Sequence, residues 1–145
     1  MKKIGMMLIM LFLTVEFANA TAMDSENSGG NLPDIIVSGT NSGTETIDVA
    51  IVPGGTTATG GGTDYTFTDP ETISIAPGTY SSTAIALTGL SITGDTAIES
   101  DETIEFTLTN PSSNVTVDDV NSDSTTQTNH VYTIDNDDGL LVEFS

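Results

Sequence analysis

Thr103-Ile104-Glu105-Phe106-Thr107-Leu108-Thr109 places an apolar side chain at every second position, and Asn110-Pro111-Ser112 follows at once. Alternation with period two marks a strand with one buried face, so Ile104, Phe106 and Leu108 are expected to point into a core. Pro111 cannot donate to a ladder and ends the strand. The same rhythm recurs upstream. Ile47, Val49 and Ile51 share one face of residues 45–52, Ile73 and Ile75 lie between Asp69-Pro70 and Pro77-Gly78, and Ile35-Ile36-Val37 precedes a turn over residues 38–43. Downstream, residues 130–134 form a strand closed by Asp135-Asn136-Asp137-Asp138. Short β-branched runs punctuated by Gly, Pro, Asn and Asp, with no amphipathic helical period, give an all-β sandwich.

Two stretches are less regular. In residues 83–93, Ile85 and Leu87 have one parity and Leu90 and Ile92 the other, so Gly89 is expected to mark a bulge in one longer strand. Residues 115–129 are polar and acidic with a Ser/Thr-rich centre, the composition of a long mobile connection.

The first twenty residues have the character of an export signal. Lys2 and Lys3 form a basic start, residues 4–15 are apolar, and Phe17-Ala18-Asn19-Ala20 offers an A-x-A cleavage site. Cleavage after Ala20 is expected, with a secreted or cell-surface product, a flexible leader over residues 21–31, and one domain over residues 32–138. The apolar stretch is short for a membrane span, so no membrane insertion is expected after cleavage.

The chain of 145 residues has 21 acidic side chains, two basic ones (Lys2 and Lys3) and no cysteine. Removing residues 1–20 removes Glu16 and both lysines, which leaves 20 acids, no Lys or Arg and a net charge of −20. Such a chain forms no Lys or Arg salt bridge and cannot neutralise a nucleic acid backbone. Isopeptide crosslinking is excluded for want of a lysine. Catalysis is not expected, because the chain lacks cysteine and past residue 20 holds only His130 as a nitrogen base; His130 shares its parity with Tyr132 and Ile134 and is expected to pack. A calcium-dependent carbohydrate-binding module is the competing class. It would need aromatic platforms, and with no Trp in the chain Tyr80 is the candidate, whereas Tyr65 is expected in the core.

Placement of the acids decides more than their number. Asp64 follows Gly60-Gly61-Gly62-Thr63, a second group lies in Asp95-Thr96-Ala97-Ile98-Glu99-Ser100-Asp101-Glu102, and a third is Asp135-Asn136-Asp137-Asp138. All fall at strand ends. Calcium takes six to eight oxygen ligands in flexible geometry, which loops at one end of a sandwich can supply from distant segments. The spacing of an EF-hand loop is absent. Without cation the clustered carboxylates would repel one another.

Read in order, Gly61-Gly62-Thr63-Asp64-Tyr65, Ile75-Ala76-Pro77-Gly78, Glu99-Ser100-Asp101-Glu102-Thr103-Ile104-Glu105-Phe106, Leu108-Thr109-Asn110-Pro111 and Thr133-Ile134-Asp135-Asn136-Asp137-Asp138 resemble the Calx-beta domain family. That family occurs in sodium/calcium exchangers, an integrin beta subunit and bacterial surface proteins. The resemblance implies a seven-stranded, immunoglobulin-like antiparallel sandwich holding calcium at one end. Its ligands would be Asp64, Asp95, Glu99, Glu102, Asp137 and Asp138, with the Ala97 carbonyl and Asn136. Asn136 and Gly94 stand where the family carries acids, and of the family's glutamate in the first strand only Asp34 is a nearby counterpart. One or two ions are therefore expected, and Asp101 is expected to be solvated or to cap a turn instead of ligating. Under this resemblance the product is a structural or adhesive module stiffened by calcium. Gly139-Leu140-Leu141-Val142-Glu143-Phe144-Ser145 resembles the first strand of a following repeat, and is expected to pair with its own sheet or with another copy or surface protein.

Overall fold

The computed structural model describes residues 11–18, 21–26, 32–120 and 125–139, which form no helix. In chain order the strands are β1 (Leu13–Phe17), β2 (Thr21–Ser25), β3 (Asp34–Asn41), β4 (Glu45–Ile51), β5 (Tyr65–Thr66), β6 (Glu71–Ile75), β7 (Gly78–Ala86), β8 (Ser91–Ile92), β9 (Glu102–Thr109), β10 (Val115–Val117) and β11 (Asn129–Asp135). One sheet has the order β10-β1-β3-β7, a second β2-β11-β9-β4-β6, and β5 and β8 form a small ribbon. The alternation read from the sequence holds where it was strongest: Ile104, Phe106, Ile47, Val49 and Ile75 are fully buried. Phe67 meets Phe106 edge to face at 5.2 Å. Full burial of each such side chain stabilises the sandwich by roughly 1.5–3 kcal/mol. The tail, residues 140–145, lies outside the described residues.

The N-terminal segments are more ordered than expected. Ordered chain does not start near Leu32. Residues 13–17, within the segment read as a signal, form a central strand that pairs antiparallel with β3 and parallel with β10. Leu13, Val15, Glu16 and Phe17 are each 0% exposed. Residues 21–25, read as a flexible leader, form the edge strand β2, parallel to β11. Its sequence TAMDS has no apolar alternation, so its order comes from the ladder with β11 rather than from local pattern. Two parallel pairings make the sandwich mixed rather than purely antiparallel, and the short pieces exceed the seven strands expected.

Three further differences concern loops. The stretch over 83–93 is not one strand with a bulge at Gly89, because β7 ends at Ala86 and β8 pairs with β5 elsewhere. Gly89 sits in a turn held by Glu71, whose carboxylate accepts from Thr88 N, Thr88 Oγ1 and Gly89 N at 2.9–3.0 Å. The register shift falls in β3 between Val37 and Gly39. Gly39 has φ +116°, and a Cβ there would strike the Phe12 carbonyl oxygen and approach Leu13 Cα to 3.2 Å. Residues 115–117, read as part of a mobile connection, form β10, and Glu16 holds the chain beyond it by accepting from Val120 N at 2.9 Å and Gln127 N at 3.2 Å. Tyr80 is half-buried against the core and donates its hydroxyl to Ala76 O at 2.7 Å, which ties down the candidate sugar platform. Tyr65 is buried, as is His130, whose ring lies 5.3 Å from Phe17.

Candidate metal centre

The parallel pairing of β2 with β11 brings two chain segments to the same end of the sandwich. Ser25 lies opposite Asp135, and Glu26 N donates to Asp135 O at 3.3 Å. Glu26 and Asp138 thus project from neighbouring strand ends. The glycine turn arrives beside them. Gly61 and Gly62 adopt φ +80° and +94°, Asp64 N donates to Thr59 O at 3.0 Å, and Thr59 N donates to the Asp64 carboxylate. Thr93 N donates to Asp64 O at 2.8 Å, which fixes the turn to the start of the acidic segment between β8 and β9. Within that segment Ala97 N donates to Asp95 Oδ1 at 2.6 Å.

Two carboxylate triads result. In one, oxygens of Glu26, Asp95 and Asp138 lie within 4.8 Å of one another; in the other, oxygens of Asp64, Glu99 and Glu102 do so. Glu26 and Asp64 are buried, whereas Glu99 is exposed. Burial and then the Asp95 and Asp138 charges push the Glu26 carboxyl above its ordinary range. Burial also pushes Glu102 up, to about 7, reinforced by a hydrogen bond shared with Asp64 and by the charges of Asp64, Glu99 and Glu26. Glu26 acts on both groups, so the triads adjoin. Neither Lys nor Arg occurs among the described residues.

Two carboxylates about 4 Å apart repel by roughly 4 kcal/mol in the dielectric typical near a protein surface. A doubly charged cation between them reverses the sign of that interaction. The donor set is all oxygen, and a buried oxygen of Asp138, Oδ2, has no hydrogen-bond partner. These residues therefore fit a hard, oxygen-seeking cation rather than one that prefers sulfur or nitrogen.

Five of the expected ligands meet here: Asp64, Asp95, Glu99, Glu102 and Asp138. Asp137 joins neither carboxylate triad. Asn136 donates from Nδ2 to Ala97 O at 3.3 Å and accepts from Asp138 N at 3.1 Å, so Asn136 and the Ala97 carbonyl brace the loops against each other. Asp137 is exposed. Asp101 is exposed and accepts from Asn136 N at 3.3 Å, which links the loop before β9 to the one after β11. Glu26 was not anticipated. It replaces Asp34, which starts β3 and lies outside both triads. Glu26 directly follows β2, and would have been found by reading residues 21–25 as a strand beside β11 instead of as a leader.

No family model and no curated protein sequence matches the chain. Among solved structures it is similar to the apo-form Calx CBD1 domain, with a TM-score of 0.64 and 21% identity over 88% of this chain and 99% of that one. It is also similar to CBD12 from CALX1.2 (TM-score 0.65, 21% identity, 86% of this chain) and to the calcium binding domain CBD12 of CALX1.1 (0.64, 21%, 87%). It spans 44% of each of those two longer chains. The likeness establishes that the fold is that of the Calx CBD sandwiches.

Proposed function

We propose that this chain is a Calx-beta domain that binds calcium, with one ion at Glu26, Asp95 and Asp138 and a second at Asp64, Glu99 and Glu102. The observation that carries this reading is the convergence of six carboxylates, from four separated segments, on one end of the sandwich with no cationic partner among the described residues. A structural neighbour whose name states calcium binding shares that sandwich, which supports the choice of cation. Calcium would lock the end of β2 to the end of β11 and the glycine turn to the start of β9. The module works as a stiffened structural or adhesive element outside the cell rather than as an enzyme; the composition of residues 1–20 supports export.

Calorimetric titration of the chain with calcium tests the reading, with melting measured in calcium and in chelator. Two equivalents of binding are expected. At about a hundred times its dissociation constant each ion adds about 2.7 kcal/mol. Absence of binding heat together with identical melting in calcium and chelator overturns the proposal.

A further inference from the structure

Residues 140–144 repeat the sequence of β1. Leu13-Thr14-Val15-Glu16-Phe17 and Leu140-Leu141-Val142-Glu143-Phe144 agree at four of five positions. The four that agree are the four side chains that β1 buries completely, and the one that differs, Thr14, is the half-exposed one. The pattern that recurs is therefore the one the slot between β3 and β10 selects. Leucine, valine and phenylalanine fill the core from that slot, and glutamate accepts from Val120 N and Gln127 N. Glu143 would do the same.

We propose that residues 140–144 are a donor strand that fills the β1 slot of a second copy of this chain. The tail cannot fill its own slot in the same direction. Phe17 N donates to Gln127 O, so β1 lies upstream of the start of β11, whereas residue 140 follows the end of β11. The seven residues of β11 cover roughly 23 Å at about 3.3 Å each. Residues 136–139 lie between β11 and residue 140, and fully extended they reach about 18 Å, short of that span. Donation is thus between copies, and because the donated strand and the receiving slot are different surfaces it runs head to tail and propagates as an open chain.

The covalent β1 competes for the slot. A short tether gives it an effective concentration on the order of 1 mM, so with chain at about 10 µM the tail of another copy holds the slot in about 1% of molecules. Removal of residues 1–20 by export cleavage would take away the competitor. Processing would then couple export to assembly, and joining would not depend on the carboxylate triads.

The test uses the full chain. Phe17→Asp unseats the resident strand, and Phe144→Asp disables the donor. Wild type is expected to be monomeric at about 10 µM by light scattering, Phe17→Asp to form folded oligomers, and the double variant to lose them. Position is read with single thiols, since the chain has no cysteine. Ser38 lies opposite Thr14, the counterpart of Leu141, so mixing Ser38→Cys with Leu141→Cys in the Phe17→Asp background should form the mixed disulfide. Its yield should exceed at least tenfold that of a Thr72→Cys and Leu141→Cys mixture, Thr72 being exposed on β6. Oligomers that survive Phe144→Asp, a crosslink no better than the Thr72 control, or a Phe17→Asp chain that stays unfolded with its tail intact would each overturn the proposal.

Discussion

Replacing Glu102 by glutamine should have opposite effects with and without cation. In chelator at pH 8 the carboxylate is ionised beside Asp64, Glu99 and Glu26, whose charges together with burial raise it from 4.5 to about 7. A carboxyl raised in the folded state stabilises the fold below its unfolded value near 4.5, and that contribution is lost as pH rises through about 7. Displacement of this size corresponds to roughly 3 kcal/mol, and solvent reaching a half-buried group screens it to about 1–2 kcal/mol. Glutamine carries no charge and can donate to Asp64, so Glu102→Gln should stabilise the metal-free protein by about 1–2 kcal/mol at pH 8, a rise of roughly 3–8 °C in melting temperature. At pH 5, where Glu102 is already protonated, the difference should vanish. With saturating calcium the order should invert, because a charged ligand is gone. Thermal melting of both proteins at the two pH values, in chelator and in calcium, checks all three statements. A variant less stable than wild type in chelator at pH 8 would refute the claim that repulsion dominates this cluster.

Glu26→Gln should reduce calcium stoichiometry from two to one in a calorimetric titration while leaving the Asp64, Glu99 and Glu102 ion in place. Glu45 is held below its ordinary range by hydrogen bonds from Ser112 at 2.6 Å and Asn114 at 2.8 Å. Its stabilising contribution is present above about 4.5 and lost as pH falls through the lower folded value, so Glu45→Gln should flatten the acid limb of a pH-dependent melting curve. Phe106→Ala, at a fully buried position on the central strand β9, should cost about 3–5 kcal/mol in denaturant unfolding.

The middle of the fold was legible because its strands each carry the whole signal locally. Ile104, Phe106 and Leu108 announce a half-buried strand without reference to any neighbour, and the glycine turn before Asp64 does the same for a loop. What the sequence hid was local in appearance and non-local in cause. Residues 4–15 are apolar enough for a signal, and residues 13–17 within the same N-terminal segment also fill the slot between β3 and β10; hydrophobicity alone does not distinguish a lipid or translocon from a core. β2 has no apolar rhythm of its own and is a strand because β11 lies beside it. With β2 unseen, Glu26 could not be placed, although every other triad member was.

The parallel pairing of β2 with β11 also fixes how the domain would bear load. Tension applied between the chain before β2 and the chain after β11 pulls those strands along their length in opposite directions. The ladder between residues 21–25 and 131–135 is then sheared as a unit instead of being unzipped one bond at a time. Glu26 and Asp138 stand just beyond that ladder, so an ion between them would act as a rivet at its end, and the resistance of the domain to stretching would be set by the calcium concentration around it.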